Sequence, residues 1–119
     1  VKVEINVTDN FRKEAKPLLK KYPSFLDDLE RLEGELLDNP HLGVSLGFDA
    51  YKIRLRIRSK GKGKSGGARV ITYLESEIII LSEVEEALTV VNLLSIYDKS
   101  EKDTVSTDEL KLLIAGLHG

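Results

Sequence analysis

Apolar and polar positions recur with clear periods along most of this chain. Val1, Val3, Ile5 and Val7 alternate with Lys2, Glu4 and Asn6, which predicts a first strand. Thr8, Asp9 and Asn10 offer capping oxygens to a helix with Phe11, Ala15, Leu18, Leu19 and Tyr22 on one face. Pro17 inside that pattern predicts a kink or break, and Tyr22-Pro23 the end. Ser24 with Asp27 resembles a capping box, and Phe25, Leu29, Leu32 and Leu36 carry a second helix to about Leu37. The two helices should form an antiparallel hairpin packed on a sheet. Asp38-Asn39-Pro40 stops the second one, and His41 to Phe48 reads as a loop.

Tyr51, Ile53, Leu55 and Ile57 then alternate with Lys52, Arg54, Arg56 and Arg58, giving a strand with one apolar and one cationic face. Ala68 to Ser82 is strand-like, with a polar interruption at Glu75-Ser76-Glu77 expected to be a bulge or a turn. Glu83 to Glu86 is the better turn candidate. Ala87 to Ile96 is apolar on both faces, as in a central strand, although a helix over Glu83 to Leu94 competes. Tyr97 to Val105 is a polar connection. Ser106 and Glu109 form a second capping box before a short helix carrying Leu110, Leu113, Ile114 and Leu117. The expected order is β-α-α-β-β-β-α. It defines one α+β domain over residues 1–119, with a small, twisted, antiparallel-dominated sheet, an N-terminal helical hairpin and a short C-terminal helix.

Charge sharpens this picture. The formal net charge is only -2, but eight of the eighteen basic residues fall between positions 51 and 69, while Asp27, Asp28, Glu30, Glu33, Glu35 and Asp38 crowd the second helix. Residues two apart on a strand are about 6.6 Å apart, so a row of like charges repels itself unless a polyanion meets it. Arginine outnumbers lysine on the strand, which suits bidentate phosphate contact. Lys60, Lys62 and Lys64 extend the cationic stretch, and the sequence between Asp49 and Glu75 holds no carboxylate. A local basic stripe of this kind points to nucleic acid. The absence of cysteine excludes disulfides, thiolate zinc sites and cysteine nucleophiles, and fits a reducing cytosol. No apolar run approaches the length of a membrane span, and the segment VKVEINV is unlike a signal peptide, so cytoplasmic location and no membrane partner are expected.

Other motifs carry less. Gly61, Gly63 and Gly66 spell GxGxxG, but a strand follows where dinucleotide binding needs a helix. Gly63-Lys64-Ser65 echoes a phosphate loop, yet Arg58 stands in place of its first glycine. No cofactor is therefore expected. His41 and His118 are isolated and read as surface residues, and the acids of the second helix read as a solvated face. No Ser/His/Asp set or metal-ligand cluster stands out. Chemistry on phosphodiesters would rest on lysine, arginine and tyrosine. That is feasible on RNA, whose 2′-hydroxyl is a built-in nucleophile needing a proton acceptor, charge stabilisation and a proton donor.

The stretch YKIRLRIRSKGKGKSGGARVITY, followed by LLSIYDKSEKDTVSTDELKLLI, resembles RelE/HigB-type toxins of the RelE/ParE superfamily from bacterial type II toxin-antitoxin systems. FRKEAKPLLKKYPSF extends the similarity to the first helices. The resemblance implies a RelE-like β-α-α-β-β-β-α domain that cleaves mRNA on the ribosome without metal or cofactor and is silenced by a cognate antitoxin protein. It implies catalytic roles for Lys52 and Arg54 on the basic strand, Arg69 after the glycine turn, and Tyr97 and Lys102 after the last strand. Arg56, Arg58, Lys60, Lys62, Lys64 and Lys99 would contact RNA. Lys52 would assist deprotonation of the 2′-hydroxyl, Arg69 and Arg54 would stabilise the phosphate, and Lys102 or Tyr97 would protonate the leaving 5′-oxygen. The segment Glu75 to Glu86 is longer and more acidic than a tight hairpin, a departure from the family pattern. A ParE-like toxin acting on gyrase, and an RNA-binding domain without turnover, are the alternative readings.

Overall fold

A computed structural model describes residues 2–60, 67–81, 84–102 and 104–118. In chain order these form β1 (Lys2–Val7), α1 (Asp9–Lys21), α2 (Phe25–Asp38), β2 (Val44–Gly47), β3 (Ala50–Leu55), a single 3-10 turn (Arg58–Lys60), β4 (Ala68–Leu81), β5 (Val84–Asp98) and α3 (Thr107–Ala115). The strands make one mixed sheet in the order β1-β5-β4-β3-β2. Only β1 and β5 are parallel; the other neighbours are antiparallel. The class is α+β, with three helices on a five-stranded sheet.

The sheet has two dressed faces. Phe11, Leu18 and Tyr22 of α1 and its end, with Phe25, Leu32 and Leu36 of α2, pack on Ile53, Leu55, Val70, Leu93 and Ile96. Their spacing is the helical stripe of the sequence, and their strand partners are alternate residues, so the two periods meet in one core. On the opposite face Ala50, Ile71, Leu94 and Tyr97 pack with Val105 and with Leu110 of α3. β5 lies between β1 and β4, and Val91, Leu93, Leu94 and Ile96 are all buried, as expected for a central strand.

Several local expectations are corrected. The expected break at Pro17 is absent: α1 runs through it as one helix, and both Pro17 and Lys13, whose carbonyl loses a helical donor, are exposed residues. Ser24 caps nothing: its hydroxyl donates to Asp28 (2.6 Å) in place of accepting from the helix backbone. The expected loop at 41–48 contains β2, which pairs with β3 from Val44↔Lys52 to Gly47↔Ala50. The basic strand ends at Leu55, and Arg58 opens the 3-10 turn. β4 is continuous through Glu75-Ser76-Glu77; the irregularity lies between Ile71 and Thr72. Glu85 and Glu86, expected in a turn, are strand residues of β5 opposite Ile80 and Ile79. The second capping box is present, with Ser106 and Glu109 each accepting from the other's backbone amide.

Gly67 controls the entry to β4. Its φ is +105°, and a Cβ there would stand 2.4 Å from the Leu55 carbonyl oxygen. Both the left-handed backbone and the close approach to β3 require glycine. Gly67→Ala is expected to lower stability by about 2 kcal/mol or more, measured by urea unfolding; an unchanged midpoint would contradict the packing described.

Candidate nucleic-acid interface

Strand register assembles the site. Arg54 of β3 pairs with Arg69 of β4, and Arg69 pairs with Tyr97 of β5. Directly opposed residues share a face with Cβ atoms about 5 Å apart, so Arg54, Arg69 and Tyr97 form one row across three strands. In the next row, Lys52 pairs with Ile71, and Ile71 with Ser95. Four of the five catalytic residues implied by the resemblance, Lys52, Arg54, Arg69 and Tyr97, thus lie in two adjacent rows, while Lys102 lies in the segment after β5.

The electrostatics of the row are unusual. Arg69 is only 5% exposed. Its guanidinium donates to the Ala68 carbonyl (3.2 Å), and no carboxylate lies within ion-pair distance among the described residues. Arg54 and Arg56 are exposed and likewise have no ion pair among the described residues. A buried cation beside another cation is costly without a counter-ion, which makes the row a candidate anion-binding surface. Lys52 reaches Thr104 Oγ1 (3.5 Å), which ties the basic strand to the segment after β5. In that segment the Lys102 ammonium sits 5.4 Å above the Tyr97 ring and pairs with Glu109. That ammonium, followed by the Ser106 amide, holds the Glu109 carboxyl below its usual range. Lys99 is half-buried, and its amide donates to the Gly67 carbonyl (3.1 Å), closing the end of β5 onto the start of β4.

The cations beyond the strand behave differently. Arg58 and Lys60 were expected to be unbalanced, yet each meets an acid from a remote part of the chain. Arg58 donates to Asp28 through its side chain (2.9 Å) and its amide (3.1 Å). Asp28 was expected on the solvated face of α2 but is fully buried, and also accepts from Ser24 and Arg31. Burial pushes its carboxyl up, and the Ser24 and Arg58 hydrogen bonds outweigh that and hold it below the usual range. Lys60 pairs with Asp98 (2.7 Å), which also accepts from the Ser100 amide (2.9 Å) and hydroxyl (2.8 Å) and lies 3.3 Å from the Tyr22 hydroxyl. Lys62, Lys64 and the GxGxxG pattern lie outside the described residues.

Sequence reasoning missed both buried acids. Asp98 had a signal, lying between Tyr97 and Lys99 directly after the largely apolar run 87–96, where burial is imposed. Asp28 had a weaker one: it follows Ser24 by four residues, the spacing of a side-chain bond along one helix face. His118, read as a surface residue, is exposed but stands 2.7 Å from Glu75, and His41 sets its ring edge against Tyr51. No helix among the described residues is long and apolar enough to cross a membrane.

No protein-family model matches the chain.

The two buried acids give a pH signature. Burial raises the Asp98 carboxyl, but the Lys60 and Ser100 hydrogen bonds prevail and bring its pKa to about 2 from 3.8. A depressed folded-state pKa stabilises the fold above the unfolded pKa, and that contribution is lost as pH falls through the folded value. Wild-type stability should therefore fall by roughly 2 kcal/mol from this group between about pH 4 and pH 2. Asp98→Asn should be less stable at pH 7 by a similar amount and show a shallower acid limb in pH-dependent urea unfolding. Parallel pH profiles for the two proteins would refute the assignment.

Proposed function

We propose that this chain is a toxin of the RelE/ParE superfamily, an endoribonuclease of a type II toxin-antitoxin system that cleaves mRNA on the ribosome. The observation that carries the proposal is Arg69, a guanidinium 5% exposed at the centre of a three-strand row, with Arg54 on one side, Tyr97 on the other and no acid paired to it among the described residues. An α+β domain with three helices and a mixed five-stranded sheet is compatible with the proposal, although it has one strand more, β2, than the expected order β-α-α-β-β-β-α.

In this mechanism the scissile phosphate lies over Arg69 and Arg54, whose donors offset the charge that grows as five oxygens crowd the phosphorus. Lys52, one row along on the same strand face, assists removal of the 2′-hydroxyl proton. The 2′-oxygen bonds to phosphorus, the bond to the 5′-oxygen breaks, and Lys102 or Tyr97 delivers a proton to that leaving oxygen. The products are a 2′,3′-cyclic phosphate and a 5′-hydroxyl. Arg56 and Lys99 flank the row and hold neighbouring phosphates. Arg58 and Lys60, held by buried acids, contribute less to RNA affinity. An antitoxin that silences the protein would cover this face and supply carboxylates to the row.

Incubating the protein with translating ribosomes and mapping mRNA ends tests this reading. The wild type should generate new ends, and Arg69→Ala or Lys52→Ala should lower the rate at least about a hundredfold while retaining the wild-type circular dichroism spectrum. Intact message together with inhibited gyrase supercoiling would instead place the protein with the ParE-like toxins. RNA binding without new ends would reduce it to a binding domain.

A further inference from the structure

We propose that the β2–β3 turn and α3 form a nucleobase-stacking subsite around Phe48, which extends the RNA path away from the basic row. The inference rests on the function proposed above. Its starting point is a conflict at the turn. Phe48 and Asp49 have φ of 57° and 60°, the only positive values outside glycine among the described residues. Such a two-residue hairpin turn favours Asn-Gly, and a phenylalanine there is strained. Burial does not explain the strain, since Phe48 is 55% exposed. The fold holds an aromatic ring in solvent at a cost, which is a mark of a binding position.

The surroundings specify a ligand class. A cavity of about 360 Å³ is lined by Phe48, Asp49, Tyr73, Lys111, Ile114 and Ala115. Lys111 places its ammonium 5.4 Å from the Phe48 ring centre, leaving the other ring face to a second partner. Aromatic faces beside ammonium groups are the recurring means of holding single-stranded nucleic acid. Asp49, the one acid at the slot, offers an acceptor to an exocyclic amino group.

Position ties the slot to the row. Tyr73 pairs with Ala50, and on the same face of β3 Lys52 and then Arg54 follow. The four residue steps from Ala50 to Arg54 span about 13 Å, a reach suited to a short single strand and too long for one nucleotide. Val44, 65% exposed, pairs with Lys52 and continues the accessible surface between them.

The test measures fluorescence anisotropy of labelled 2′-O-methyl RNA, which lacks the attacking hydroxyl, at low salt. An octanucleotide spans both sites and a dinucleotide occupies the row alone. Phe48→Asn suits the left-handed turn, so its melting temperature should not fall. It should weaken octanucleotide binding about tenfold through lost stacking, leave the salt dependence unchanged because phosphate contacts persist, and leave dinucleotide binding unaffected. Phe48→Tyr should restore wild-type affinity. If Phe48→Asn binds the octanucleotide normally while Arg69→Ala does not, the subsite is wrong and the basic-row reading stands. Equal weakening of both oligonucleotides would show a general perturbation and overturn the subsite. Absence of binding by the wild type would overturn both, and a slot that accepts only an apolar protein segment would appear in the same way.

Discussion

The register between β3, β4 and β5 is the constraint on which the rest depends. It puts Arg54, Arg69 and Tyr97 side by side, and it can do so only because the other face of the same strands is packed. Ile53, Leu55 and Val70 lie under α1 and α2, and a slip of one residue in any strand would exchange them for the cations. Core packing therefore holds like charges together at a spacing they would otherwise avoid. In the proposed function an RNA phosphate would offset that repulsion.

A second device keeps the site from spreading. The chain leaves β3 carrying Arg58 and Lys60 into a lysine-rich stretch, and both cations are held by buried acids from elsewhere: Asp28 on α2 and Asp98 at the end of β5. These contacts join α2, the 3-10 turn and β5. They also divide the basic stretch by pairing. Arg58 and Lys60 are neutralised within the fold, whereas Lys52, Arg54, Arg56 and Arg69 have no ion pair among the described residues.

Much of this was legible in the chain because period carries information. Alternation at positions 51–57 reported the faces of β3 correctly, the apolar run 87–96 reported a central strand, and the Ser106–Glu109 spacing located the start of α3. Misreadings arose where tertiary context overrode a local rule. Pro17 sits inside α1 on its exposed side, and Ser24 turned from its expected capping role toward Asp28. β2 was hidden because three residues between Gly43 and Gly47 read as loop until paired with β3. Of the site, the residue types and strand were readable, but pairing was not. No spacing in a sequence states that Arg54 faces Arg69 or that Asp98 meets Lys60, since both depend on register between distant segments.

The central claim is that the row from Arg54 through Arg69 to Tyr97 receives ribose-phosphate. Amide chemical shifts followed by NMR during titration with a non-cleavable RNA analogue test it most directly. The account predicts that the largest changes fall on Lys52, Arg54, Arg69 and Tyr97, with the α1 and α2 face unmoved. Changes centred on α2 or on the far end of the β4–β5 hairpin, with the row silent, would contradict it.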